Sequence, residues 1–332
     1  MKTKNGVYLL LFALVACDNT EKTLHINGST MGTKYHISLV KQKQSPKISR
    51  DRLKQQIDQI FQQINQQMST YLADSEISKF NRYNQTNWFP VSKDFAHVVN
   101  TALKISKQTH GAFDISVAPF IDLWGFGAKT QYEIPSSQQI KQLFPQVGFQ
   151  HIHVKNNPAA LKKDNIKLHI DLSAIAKGFA VDKISVYLEN KGWENYLVEI
   201  GGEVRAKGIN AAKKKWKIAI EQPDLKQKKA NHIISISNKA VATSGDYRNY
   251  YIKDGIRYSH TIDPKTGFPV KHKLASVTVL NDSTMLADAY ATALMVMGEV
   301  KGKAFAQKNK LQVNMIIRDK KNKFSRWSNL PN

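Results

Sequence analysis

Asp288 and Thr292 stand four residues apart in the alanine-rich run Ala287-Asp288-Ala289-Tyr290-Ala291-Thr292-Ala293-Leu294. In a helix, that spacing projects both oxygens from one face, one turn from each other. A carboxylate and a hydroxyl so placed suit a hard cation such as Mg²⁺, which takes few protein ligands and leaves positions open for phosphate. A second run, Asp171-Leu172-Ser173-Ala174-Ile175-Ala176-Lys177-Gly178, puts an acid at the end of an apolar stretch and a lysine early in the next helix. Together they suggest a metal-assisted site for a phosphorylated ligand. The plainer alternative is a helix N-cap at Asp171 and a solvated helix face at 288 and 292.

Other polar clusters are weaker taken singly. Gly111-Ala112-Phe113-Asp114-Ile115-Ser116 places small residues and an acid at a turn, where backbone can approach a flat ring closely. Gly201-Gly202-Glu203 follows the apolar run Tyr196–Ile200, and a glycine pair there can expose N–H groups to phosphate. It is not the dinucleotide fingerprint, which needs three glycines at fixed spacing and a following helix. Thr243-Ser244-Gly245-Asp246-Tyr247-Arg248 and Tyr258-Ser259-His260-Thr261-Ile262-Asp263-Pro264 are dense in polar groups. His260 could take a proton from a hydroxyl, with a neighbouring acid such as Asp263 orienting it. A structural histidine in a strand is the alternative.

These groups must be carried by the elements around them. Alternation with Tyr35, Ile37 and Leu39 predicts a strand within 24–40, and Gly28 to Thr33 reads as a small-residue turn. Helical spacing predicts helices at 49–68 and 92–109, the second capped by Gly111. A Pro/Gly-rich loop follows from 119 to 135, then a short helix at 136–145. Strands are expected at 151–155 and 166–171, and a helix at 174–190. Short strands dominate next, at 195–200, 215–221, 232–237, 240–243, 247–252, 257–262 and 273–280. Helices at 284–297 and 299–309 precede strands at 311–318 and 324–327. Strands joined by turns, with helices in blocks, indicate an α+β fold with mostly antiparallel sheet.

At the start of the chain, Lys2 and Lys4 precede an apolar segment, 7–16, that is too short for an ordinary membrane span. Leu14-Val15-Ala16-Cys17 resembles a bacterial lipoprotein box, which implies a signal peptide over 1–16, cleavage before Cys17 and lipid on its sulfur. Cys17 is the only cysteine, so no intramolecular disulfide forms. Residues 17–23 read as lipidated cysteine and tether, and 24–332 as a single domain. The formal net charge is +23. Its lysines are scattered through apparent turns and tails, so anionic lipid headgroups and an anionic small ligand fit better than nucleic acid.

The ordered set of motifs is more specific than any member. Met31-Gly32-Thr33, Met68-Ser69-Thr70-Tyr71, Asp74 to Ser78, Gly111 to Ser116 and Leu123-Trp124-Gly125-Phe126-Gly127 come first. Asp171 to Gly178, Val198 to Glu203, Thr243 to Arg248, Tyr258 to Pro264 and Ala287 to Leu294 follow. From about residue 26 to 318 the chain closely resembles the FAD:protein FMN transferase (ApbE) family. The resemblance implies a T-fold-like α+β protein with FAD between two lobes, exported and often lipid-anchored. Asp18 directly after Cys17 resembles a signal for retention in the inner membrane, so its periplasmic face is the expected place. It implies Mg²⁺-dependent transfer of FMN from FAD to a threonine or serine of a target protein, releasing AMP. Subunits of sodium-pumping quinone reductases and related electron-transport complexes are the implied acceptors. By the family pattern Asp288, Thr292 and the Ala174 carbonyl hold Mg²⁺. Met31, Tyr71, Ala112, Phe113, Asp114, Asp171, Lys177 and Ile262 match FAD-contacting positions, and His260 is the candidate base. The rival readings are a Mg²⁺-dependent FAD pyrophosphatase and a flavin-binding lipoprotein without catalysis.

Overall fold

Tyr35, Ile37 and Leu39 are fully buried while their neighbours alternate outward, as one face of a strand against a core requires. The computed structural model describes residues 23–127, 132–221, 230–246, 249–319 and 323–331. The expected signal peptide, Cys17 and all of the tether but Thr23 therefore lie outside the described residues. No helix among the described residues is long and apolar enough to cross a membrane.

The stretch expected as one strand is a hairpin of β1 (Thr23–Thr30) and β2 (Thr33–Val40), with Thr30 opposite Thr33. Its two turn residues, Met31 and Gly32, have φ of 51° and 70°. A two-residue hairpin turn needs that hand to match the twist of its strands. Glycine adopts it freely, whereas Met31 does so at a cost of about 1 kcal/mol or more.

Ser49 caps α1 (Arg50–Met68) and Ser75 caps α2 (Glu76–Arg82), a helix too short to leave a readable period. After β3 (Phe89–Pro90), α3 (Lys93–Gln108) ends as expected, with Gly111 donating to the Ser106 carbonyl at 2.8 Å. The segment expected as a Pro/Gly-rich loop opens with α4 (Ala118–Leu123), because Pro119 falls in the first turn, where no N–H is needed. A capping box between Ser136 and Gln139 starts α5 (Ser137–Leu143).

Next come β4 (Ile152–Asn156) and its partner β5 (Ala159–Lys163). The strand expected at 166–171 is absent, although Leu168, Ile170 and Leu172 are buried in alternation. Side chains and loop carbonyls, not a neighbouring strand, satisfy this backbone. Asn81 bonds both the N–H and the carbonyl of Ile170, at 2.8 and 2.9 Å. The buried Lys163 ammonium donates to the Leu168 carbonyl at 3.1 Å. Alternation reported burial here, and burial does not require a ladder.

The remaining elements are α6 (Ala176–Asn190), β6 (Tyr196–Ile200), β7 (Glu203–Lys207), β8 (Trp216–Glu221), β9 (Ala230–Ile236) and β10 (Lys239–Gly245). Then follow β11 (Tyr250–Lys253), β12 (Ile256–Ser259), β13 (Ile262–Asp263), β14 (Phe268–Pro269) and β15 (Leu274–Asn281). The chain closes with α7 (Thr284–Lys308), β16 (Gln312–Arg318) and β17 (Phe324–Ser328). The helices expected at 284–297 and 299–309 form one run broken at Gly298, whose φ is 75°.

One antiparallel sheet, ordered β1-β2-β6-β7-β10-β15-β16-β17, forms the frame of an α+β architecture. Neighbouring residues of a strand face opposite sides. Ala242 and Val279 accordingly pack against α7, while Val241 and Leu280 pack against the β8–β9 hairpin. Toward the other end of the sheet, α1, α3 and α6 join β2 and β6 in the largest core.

Helices α6 and α7 meet at a close backbone junction. A Cβ on Gly178 would come within 2.4 Å of the Thr284 carbonyl oxygen, so only glycine allows this approach. The Gly178 N–H donates to Asp288 Oδ2 at 3.0 Å. In return Asp182 accepts from Thr284 N–H at 2.9 Å, Met285 N–H at 3.0 Å and the Ser283 hydroxyl at 2.7 Å. Each helix thus supplies a carboxylate to the electropositive N-terminus of the other. Gly178→Ala should lower the unfolding free energy by about 1–3 kcal/mol, since rigid backbone must move to admit the methyl. A denaturant melt in which the variant matches the parent would refute this.

Candidate active site

The α6–α7 junction places three ionisable groups together. Asp288 on α7 and Glu203 at the start of β7 are both 3% exposed. Lys177 Nζ on α6 lies 3.3 Å from Glu203 Oε1. Burial pushes the Glu203 carboxyl up to about 8, aided by Asp288 and opposed by Lys177. Asp288 is raised for the same main reason, with Lys177 and the Gly178 N–H pulling it back. Burial by itself would strip the Lys177 proton, but Asp288, Glu203 and Asp171 outweigh it and hold the ammonium above its ordinary range. One cation therefore balances two buried acids.

The oxygens expected to hold a cation converge beside this group. Asp288, Thr292 and Ala174 line one cavity of about 290 Å³, as the helical spacing of the first two requires. In a regular helix, Gly178 N–H would bond the Ala174 carbonyl four residues back. Gly178 donates instead to Asp288, and among the described residues the Ala174 carbonyl accepts no hydrogen bond. Diverting one N–H thus tethers the carboxylate and frees the main-chain oxygen of a residue that lines the same cavity. The Ser244 and Thr292 hydroxyls lie 3.2 Å apart. No cluster of three or more His, Cys, Asp or Glu among the described residues could hold a metal. A cation at this place would rely on mixed oxygen donors, a set that favours Mg²⁺-like ions.

His260 follows β12 and lines this cavity as well as the next. Its Nδ1 lies 2.9 Å from the Asn249 carbonyl. A carbonyl can only accept, so Nδ1 carries the proton and Nε2 keeps its lone pair. Burial, with Lys177 adding to it, lowers the imidazole below its ordinary value of 6.5. The orienting group is not Asp263, as expected, because that carboxylate bonds the Lys265 N–H at 2.9 Å and closes its own turn. A side chain two strands away in sequence spacing gave no signal for Asn249, whose contribution is a backbone oxygen.

A larger cavity of about 880 Å³ opens next to the first, and Lys177 and His260 line both. Met31, held by its left-handed backbone, and Tyr71, 71% exposed, stand along it. A thioether and an aromatic ring so placed can hold a flat ligand. The Ala112-Phe113-Asp114 segment and Ile262 line the smaller cavity. Phe113 belongs to the main core. Asp114 is committed within the protein, accepting from Ser116 N–H, Ser116 Oγ and Phe149 N–H at 2.8, 2.6 and 3.0 Å. Asp171 also lines this cavity and closes a tight turn onto Ser173 N–H at 2.7 Å rather than capping α6. The Gly201-Gly202 pair offers phosphate nothing, since Gly201 N–H bonds the Lys34 carbonyl and Gly202 N–H bonds Glu199. Tyr247 and Arg248 lie outside the described residues.

Sequence reasoning gave no role to Glu203 or Asp182. Both are acids in ordinary positions, and only the packing of β7 and α7 against α6 gives them partners.

The family model described as the ApbE family matches residues 31–317. The FAD:protein FMN transferase of Vibrio cholerae is 43% identical over 310 residues, 93% of this chain and 91% of that protein. The protein of the same name from Haemophilus influenzae is 42% identical over 314 residues, covering 93% and 90%. Among solved structures, the flavin transferase ApbE from Vibrio cholerae superposes with a TM-score of 0.85 at 41% identity, covering 93% of this chain and 97% of that one. The apo flavinyl transferase ApbE of Pseudomonas stutzeri gives 0.85 at 36% identity, covering 93% and 95%.

Lys177→Met should lower stability at pH 8 by about 3 kcal/mol, because it strands two buried acids. The folded Glu203 carboxyl is raised above its unfolded value of 4.5. The folded state therefore binds the extra proton between those values, and stability from this group falls as pH rises toward 8. The penalty should shrink at pH 5, and adding Glu203→Gln should recover part of it. A penalty independent of pH in urea unfolding would contradict the charge arrangement.

Proposed function

The chain belongs to the ApbE family, and on that premise we propose that it splits FAD at the pyrophosphate and passes FMN to a threonine or serine hydroxyl of an acceptor protein. Flavin transfer from FAD to protein is the activity at its coarser level. In the step itself, the acceptor oxygen bonds to the phosphorus of the FMN half. The bond from that phosphorus to the bridging oxygen breaks, AMP leaves, and the hydroxyl proton goes to a base.

The observation that carries this reading is the convergence of Asp288, Thr292 and the unpaired Ala174 carbonyl on the cavity that Lys177 and His260 also line. These hard oxygens fit Mg²⁺, and Asp288, Thr292 and Ala174 would hold it. When bound, Mg²⁺ would neutralise pyrophosphate oxygens and stabilise charge on the departing AMP. Lys177 brings a held ammonium to the same phosphates. Met31 and Tyr71 would grip the flat parts of FAD. His260 would take the hydroxyl proton at Nε2, since Nδ1 is committed to Asn249. A loose phosphoryl-type transition state asks little activation of the attacking oxygen, so this base ranks below the metal ligands in effect.

We further propose that Cys17 carries lipid and holds the enzyme at the periplasmic face of the inner membrane. The net charge of +23 would favour anionic headgroups there. Acceptors would be exported subunits of electron-transport complexes, such as sodium-pumping quinone reductases.

The direct test is mass spectrometry of such an acceptor subunit after incubation with FAD and Mg²⁺. Parent enzyme should add the mass of one FMN, and neither Asp288→Ala nor metal-free enzyme should do so. Free FMN and AMP with an unmodified acceptor would favour the pyrophosphatase. His260→Ala should slow single-turnover transfer by roughly 10²-fold, less than Asp288→Ala; an equal or greater loss would reverse their ranking.

The lowered imidazole value fixes a pH dependence. His260 must be neutral to accept a proton, and burial moves its titration below 6.5. The part of the rate that His260→Ala removes should therefore fall with acid along a limb centred below pH 6.5. A His260-dependent limb centred above 6.5 would exclude this protonation state.

A further inference from the structure

Three cavities meet at His260, and the flavin chemistry proposed above accounts for two. The cavities of about 880 and 290 Å³ share Lys177, and the smaller also reaches Asp288 and Thr292. The third, of about 340 Å³, includes His260 and Ser173 but neither Lys177 nor Asp288 nor Thr292. It shares Tyr71 with the cavity of about 880 Å³ and Asp171 with that of about 290 Å³, so it adjoins the flavin site, while Ser78, Arg82 and Ala118 on its wall line neither of those cavities.

Displacement at phosphorus requires the entering and leaving oxygens to lie roughly in line. With pyrophosphate beside Lys177 and Asp288, the incoming hydroxyl must approach from a side that FAD leaves open. We propose that this third cavity is the groove for the acceptor protein, taking the extended segment that carries the reacting threonine or serine. The assignment rests on the transferase reading.

The walls suit a polypeptide. Ser78 and Arg82 of α2, Ala118 and Asp122 of α4, and Asn249 line the groove, a polar wall with one small side chain, of the kind an extended segment lies against. The charges are of both signs, so the groove selects neither an acidic nor a basic peptide by net charge. Outside it stands an aromatic rim. Tyr132, 47% exposed, lies against Tyr251 with ring centroids 4.7 Å apart. Phe126, a groove residue, packs on both Tyr251 and His260, at 5.4 and 6.3 Å. Ile256, 50% exposed, stands on the Tyr251 face of the β11–β12 hairpin and extends the apolar surface. Exposed aromatic and aliphatic side chains around a reaction cleft are what a docking polypeptide packs against. The hairpin that bears this rim leads straight into His260, so docking and base belong to one element.

The test separates the acceptor from FAD. Arg82→Glu alters an exposed side chain at the groove, and Ala118→Leu narrows the groove itself. Each would be assayed with a quinone-reductase acceptor subunit and, without acceptor, for slow release of AMP from FAD. Both variants should raise the KM for the acceptor at least tenfold, while the KM for FAD and acceptor-free AMP release stay within twofold. An unchanged acceptor KM in both variants would overturn the groove. Loss of FAD binding in both would overturn it too, by giving the cavity to the flavin. Absence of labelling by the parent enzyme, with AMP release intact, would remove the transferase reading and the groove with it.

Discussion

The site depends on the exchange of carboxylates between two helix starts. Asp182 of α6 binds the first N–H groups of α7, and Asp288 of α7 binds the Gly178 N–H near the start of α6. Neither contact forms unless the backbones approach to a distance that only Gly178 permits. The same contact moves Asp288 into the cavity and strips the Ala174 carbonyl of its usual helical partner. A packing constraint and a ligand-binding geometry are therefore one arrangement. Arg205, which bonds Asp182 at 2.9 Å, ties it into β7 and so into the sheet.

Around that junction the electrostatics are deliberately unbalanced. Two buried acids share the Lys177 ammonium, and their carboxyls are held above the ordinary range. Such a site favours whatever restores charge balance, which a divalent cation arriving with phosphate does. On the other side His260 is kept neutral by burial and fixed in one tautomer by a backbone carbonyl. Lys177 adds to that effect, so the residue that would bind phosphate also helps keep the base unprotonated.

One strained backbone position lies where ligand would. Met31 holds a left-handed backbone at the tip of the β1–β2 hairpin, at the edge of the cavity of about 880 Å³. A tighter choice for the hairpin would be asparagine or glycine. Methionine there fits a position chosen for its side chain rather than for its turn.

Periodicity in the sequence was enough for the α+β class and for most elements, because helices and half-buried strands carry their burial pattern locally. It misplaced a strand at 166–171, where Asn81 and Lys163 supply hydrogen bonds from far along the chain. The spacing of Asp288 and Thr292 on one helix face was legible, and the order of motifs identified the family. The partners of those motifs were not. Glu203, Asp182 and the Asn249 carbonyl acquire their roles only when β7, α7 and the segment before β11 are packed together, as did the loss of a role for Gly201-Gly202 and for Asp263. The sequence by itself determined which residue types could do the chemistry. The tertiary structure decided which were free to do it, since a hydrogen bond to a distant backbone group either commits a side chain or releases it, and that is settled by contacts no local pattern records.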